Sequence, residues 1–203
     1  MKKIAILLVF VTLFTACGRA LDMPPDDPEE KIEIPYTEDG EYAGFSDLPA
    51  EYTAEDAVRD GCYVVVSSSD VSDKENDLGL VAGGEVWEKF YEDSKNGKDA
   101  YIRVAHFIDG KPYYTDLYYA DGEYVMFDLN DERGLVNYAP QKYLRELKDE
   151  INGREARMYV LTNETEITYR DVEQVFVSSS LFIEHKQFFW LGFTTYYVYD
   201  DNN

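Results

Sequence analysis

Two Asp-Gly pairs, Asp109-Gly110 and Asp121-Gly122, constrain the fold of this chain more than any other feature. Each stands between stretches in which apolar and polar residues alternate. A two-residue loop needs positive φ at both positions and a twist that matches the flanking strands, which Asp-Gly supplies, so each pair predicts a β-hairpin turn. Registers follow from that geometry: residue 106 faces 113, 103 faces 116, and 119 faces 124. Side chains then sort with a period of two. One face carries Ile102, Val104, His106, Ile108, Tyr113, Leu117, Tyr119, Tyr124 and Met126. The other carries Tyr101, Arg103, Phe107, Tyr114, Asp116, Tyr118, Val125 and Phe127. The first is the more aliphatic and is expected beneath helices. The second mixes aromatic residues with an Arg103–Asp116 cross-strand pair worth roughly 0.2–1 kcal/mol. An antiparallel sheet can leave one face in water, and the aromatic face is placed there; the alternative is that a helix, the N-terminal segment or the last strand covers it.

The flanking sequence supplies the other elements. Thr53 to Asp56 has the spacing of a capping box and predicts a short helix ending near Gly61, followed by a buried strand over residues 62–66. Val86, Trp87, Phe90 and Tyr91 recur at helical spacing and predict a second helix over residues 85–96. Pro140 followed by Tyr143, Leu144, Leu147 and Ile151, with Asn152-Gly153 as a stop, predicts a third. Thr168 and Asp171 open a fourth, with Val172, Val175 and Phe176 inward. Strands are expected over residues 156–162 and 188–199, the last apolar on both sides and therefore covered on both. The expected fold class is α+β: a mainly antiparallel sheet of about six strands with three to four helices packed mostly on one face.

The N-terminus reads differently. Lys2 and Lys3 precede an uncharged apolar run from Ile4 to Phe14, too short to span a bilayer of about 30 Å. Residues 1–16 therefore read as a signal peptide. Phe14-Thr15-Ala16-Cys17 matches the bacterial lipobox, with Phe14 in place of the commoner Leu. Cys17 is thus expected to carry acyl chains such as palmitate, and two such chains suffice for stable anchoring where one does not. Residues 18–50 hold five of the seven prolines and ten acidic side chains against Arg19 and Lys31. Such a stretch is poor in core material, so residues 17–50 are expected to be a lipidated, self-repelling linker, with 51–203 as one domain; Ile32, Ile34, Tyr36 and Phe45 are the residues through which part of it could dock onto that domain. The net charge of −22 argues against nucleic-acid partners, whose phosphates attract Lys and Arg clusters.

Asp56-Ala-Val-Arg-Asp-Gly61, Trp87-Glu-Lys-Phe90, Ile102-Arg103, Asp116-Leu-Tyr-Tyr-Ala-Asp-Gly122 and Tyr159-Val-Leu-Thr162 together resemble a family of small extracytoplasmic lipoproteins of Gram-positive bacteria that carry a domain of unknown function. The resemblance covers roughly residues 52–177. It implies a cell-surface domain held to the membrane by a lipid, with no catalytic residues to carry over.

The chemistry legible in the residues is sparse. Cys62, on an apolar strand with only Arg59 as a nearby cation, has the setting of a core hydrophobe rather than of a thiolate nucleophile. His106 is expected on the core face, bonded to Tyr113 or backbone, and His185 in a polar turn. Asp70, Asp73, Glu75 and Asp77 offer oxygen ligands at near-alternate positions, compatible with weak Ca²⁺ binding, although Leu78 stands where an EF-hand loop needs Gly. Walker A, GxGxxG and GxSxG motifs are absent from the sequence. The leading expectation is a non-enzymatic binding or accessory domain. Its contact with a cell-surface protein or glycan would be the aromatic face, through Tyr101, Arg103, Phe107, Tyr114, Asp116, Tyr118 and Phe127. The alternatives are a cell-envelope hydrolase using Cys62 with His106 or a carboxylate pair, and an acidic inhibitor or structural partner of another surface protein.

Overall fold

Asp109 and Asp121 adopt φ of 50° and 51°, and Gly110 and Gly122 φ of 76° and 83°, so both pairs form the tight turns that their sequence predicts. The strands they join, β3 (Ala100–Ile108), β4 (Lys111–Ala120) and β5 (Glu123–Asn130), pair with His106 opposite Tyr113, Arg103 opposite Asp116 and Tyr119 opposite Tyr124. The computed structural model describes residues 31–67, 79–151, 154–177, 186–192 and 196–198. The signal segment, Cys17 and the candidate calcium residues Asp70, Asp73, Glu75 and Asp77 lie outside the described residues, as does His185.

Around the double hairpin, β1 (Tyr63–Ser67), β2 (Gly79–Ala82) and β6 (Gly134–Asn137) complete a six-stranded sheet of order β2-β1-β3-β4-β5-β6. All its pairings are antiparallel except β1 with β3, which run parallel. That exception is joined through α2 (Gly84–Lys95), a helical crossover of the kind parallel neighbours need. A second, four-stranded sheet contains β7 (Tyr143–Ile151), β8 (Arg154–Thr162), β9 (Phe188–Trp190) and β10 (Tyr196–Val198). The molecule is α+β and mostly antiparallel, as expected, but in two sheets rather than one of about six strands.

Three helices lie among the described residues, and they are not gathered on one face. α1 (Ala54–Arg59) has the full Thr53–Asp56 capping box. It buries Ala57 against Cys62, Val64, Ala105, Phe107 and Tyr114 on one side of the large sheet. α2 buries Trp87 and Phe90 against Tyr63, Val65, Ile102 and Val104 on the other side. α3 (Tyr169–Val177) starts with Thr168 and Asp171 bonded to each other and packs Tyr169 and Val172 on Leu147, Met158 and Val160 of the second sheet.

The helix predicted over residues 140–151 is strand β7. Leu144 joins the core shared with α2, whereas Leu147 faces α3, so residues three apart that mimic one helical face lie on the two faces of a strand. Register pairs Ile151 with Arg154, so β7 continues antiparallel into β8, and the expected helix stop Asn152-Gly153 lies outside the described residues. The single strand expected over 188–199 is two short strands, β9 and β10, both on β8.

Candidate functional site

Most of the aromatic face is covered and does not meet solvent. Residues 32–52, the larger part of the stretch expected to be linker, form a strap across it. Gly40, at φ of 80°, closes a tight loop in which Thr37 N donates to Glu41 O, and this brings Tyr36 and Tyr42 into a small antiparallel bridge. The Tyr42 ring stacks on Phe127 at 3.7 Å between centroids, and Phe45 packs edge-on against Tyr42. Phe45, Leu48 and Tyr52 extend the cover over Tyr114 and Phe107. Of the seven proposed contact residues, Phe107, Tyr114, Asp116, Tyr118 and Phe127 are buried, Arg103 is half-buried, and Tyr101 alone is exposed.

Beneath the strap lies a polar knot built on the predicted Arg103–Asp116 pair. Arg103 grips Asp116 with two parallel bonds, Nε to Oδ1 at 2.7 Å and Nη2 to Oδ2 at 2.8 Å. Tyr101 donates to Oδ1 at 3.0 Å, and the Tyr42 hydroxyl donates to Oδ2. Each carboxylate oxygen thus accepts two hydrogen bonds, which fills its acceptor capacity. Arg103 also donates to the carbonyl of Gly44 and to Asp47, both in the strap. Burial, followed by the bond to Asp116, pushes the Tyr42 phenol far above its ordinary value; burial likewise raises Tyr118, to about 12. A fully buried carboxylate held in this way is a structural anchor for the strap, with no acceptor left for a ligand.

The opposite face of the sheet behaves differently along its length. Near Ile102 and Leu117 it is sealed by α2 and by Tyr159, Leu161 and Leu191 of the second sheet region. Toward His106 and Thr115 the layers part, and a cavity of about 760 Å³ opens, lined by His106, Thr115, Met126, Asp128, Tyr138, Gln141, Val175 and residues 186–192. Asp128 lies opposite Thr115 in the ladder. It accepts from Thr115 Oγ1 at 2.6 Å on one oxygen and from the Tyr138 hydroxyl at 2.8 Å on the other. Burial, then the contact with Asp128, raises the Tyr138 phenol to about 12. His106 shares a 2.8 Å hydrogen bond with Ser67, not with Tyr113, and burial lowers its pKa below the ordinary imidazole value. Trp190 forms part of the wall and is 43% exposed.

Cys62 and His106 are not brought together. Cys62 packs with Val64 and Ala105 under α1, while His106 lines the cleft on the other side of the same sheet. Burial raises the thiol pKa of Cys62, which disfavours the nucleophilic thiolate. Among the described residues no group of three or more His, Cys, Asp or Glu side chains is placed to hold a metal ion, and no helix is long and apolar enough to cross a membrane.

Sequence reasoning missed the cleft although part of its signal was present. The period-two count that put Val104 and Met126 on the core face also puts Thr115 and Asp128 there, a polar pair facing inward. Comparison with protein-family models, with curated proteins and with solved structures finds no match to this chain.

Proposed function

We propose that this chain is an extracytoplasmic lipoprotein, held to the bacterial membrane through Cys17, whose domain binds a small ligand in the cleft between the two sheets. The N-terminal signal, the lipobox and the resemblance to Gram-positive surface lipoproteins support the location. One observation carries the binding reading. On the strap-covered face Asp116 has its acceptor positions filled within the chain, whereas the cleft combines an accessible indole with a carboxylate, an imidazole and an amide. Such a concave apolar site with a few convergent polar groups is the common form of a ligand pocket.

Two experiments test the reading. Metabolic labelling with a palmitate analogue should mark the protein, and Cys17→Ser should abolish the label; equal labelling of both would remove the anchor. Thermal unfolding of the full chain with calcium, wall glycans and amines added separately reads the binding. A ligand at a hundred times its dissociation constant stabilises by about 2.7 kcal/mol. Loss of that shift in Trp190→Ala, with the unliganded midpoint kept, would locate the ligand in the cleft. A shift that survives the substitution would place it elsewhere.

A further inference from the structure

We propose that the cleft selects organic cations, in which a protonated primary amine or guanidinium is joined to an apolar or aromatic body. This inference rests on the cleft being the binding site. Asp128 carries it. Among the described residues its two oxygens each accept a single hydrogen bond, from Thr115 and Tyr138, so about half of the roughly four acceptor positions of a carboxylate stay open. Asp116, on the other face, has all four filled. Both donors to Asp128 are neutral hydroxyls, and among the described residues no Lys, Arg or His lies within ion-pair distance of it.

The cations that line the cavity do not fill that role. Lys186 donates to the Glu166 carbonyl at 2.7 Å and to Asp171 at 3.0 Å, and so is already neutralised from the α3 side. Burial lowers the pKa of His106 and so favours its neutral form. Among the described residues the cleft therefore presents a negative charge without a counter-charge, in a chain whose net charge of −22 raises the local concentration of cations. The surroundings suit an organic cation rather than a metal ion. Tyr138 and Phe189 meet edge to face at 4.9 Å, and Trp190 adds an exposed indole on which a cation or an apolar body can rest. An N–H donor from an ammonium group would complete the acceptor shell of Asp128 with charge-assisted hydrogen bonds, stronger than those a neutral hydroxyl makes.

The test uses the full chain and its own fluorescence. Of its two tryptophans, Trp87 is buried in the core, and Trp190 is the reporter at the cleft. Three probes are titrated: phenethylamine, its uncharged counterpart phenethyl alcohol, and the neutral saccharide chitotetraose. The expected result is that the amine binds at least tenfold more tightly than the alcohol, that added salt narrows the gap, and that Asp128→Asn abolishes it. The comparison between probes is made first on the unaltered chain, so it does not depend on how the variant folds. Equal binding of amine and alcohol, or binding of the saccharide alone, would overturn the cation preference and leave the cleft as a binding site. If none of the probes alters Trp190 emission or the unfolding midpoint, both the preference and the cleft reading fail.

Discussion

The two faces of the large sheet carry similar chemistry and put it to opposite ends. Each has a carboxylate on β4 or β5 surrounded by tyrosines and other aromatic rings. On the strap side, Asp116 receives four hydrogen bonds, two of them from Arg103, and the chain's own N-terminal residues lie over it. On the cleft side, Asp128 receives two, and its aromatic neighbours stand around open space. The contrast teaches that composition of a face does not decide whether it binds. What decides it is whether the fold has already supplied the partner. An aromatic, charged surface read from sequence as a docking site is one that this chain docks on itself.

The comparison breaks most visibly at Asp116. Removing one member of a buried, bidentate pair leaves the other charge uncompensated, so Asp116→Ala is expected to cost about 3–5 kcal/mol in urea unfolding. Asp128→Asn, which keeps the side chain's shape, is expected to cost about 1 kcal/mol or less. Comparable losses at both positions would mean that the two carboxylates do not differ in role.

Gly44 offers a way to lift the strap without touching the sheet. A Cβ placed there would lie 2.0 Å from the Tyr42 hydroxyl oxygen, so Gly44→Val is expected to displace Tyr42 and cost about 1–3 kcal/mol. Phenolate absorbance supplies the second readout. Tyr118, raised to about 12 by burial, should titrate closer to 10 once uncovered. An unchanged titration would show that the strap does not shield it.

A smaller effect sharpens the cleft side. Tyr138→Phe deletes one donor to Asp128 and is expected to cost about 0.5–1.5 kcal/mol while leaving the strap-side tyrosines unaltered. The smallest effects concern pH. His106 is depressed in the folded chain, so the unfolded chain binds its proton first as pH falls, and stability should decline below about 6.5. His106→Gln should flatten that decline. Tyr138 is raised, so its contribution is complete below pH 10 and is lost as pH climbs toward about 12. Unfolding midpoints across both ranges check the two signs.

Local signals made the centre of the fold legible, and non-local ones hid the rest. Asp109-Gly110 and Asp121-Gly122 fix turn, register and face within some thirty residues, because hairpin geometry depends only on neighbours. The capping pairs Thr53–Asp56 and Thr168–Asp171 are equally local. By contrast, Leu144 and Leu147 have the spacing of one helical face, and only the presence of a second sheet with cover on both sides makes them strand residues. For a related reason the strap was legible only through Ile32, Ile34, Tyr36 and Phe45, the apolar residues that could dock. Its acidic, proline-bearing composition describes a spacer, while the partners that order it, Asp116 and Tyr118, stand 74 and 76 residues away from Tyr42. The cleft likewise needs His106, Asp128, Tyr138 and Trp190 from distant parts of the chain, so only the inward polarity of Thr115 and Asp128 could have hinted at it.

The strap also shortens the leash. With an acyl anchor at Cys17, a linker running free to residue 50 would let the domain roam to about 115 Å at full extension of roughly 3.3–3.6 Å per residue. The chain is instead held from Ile32, whose backbone N–H bonds to Asp99 at 3.3 Å. From such an anchor to Ile32 the chain could span at most about 50 Å at full extension. The domain would then work close to the bilayer, and tension on the anchor would load Tyr42 and its knot before it reached the core.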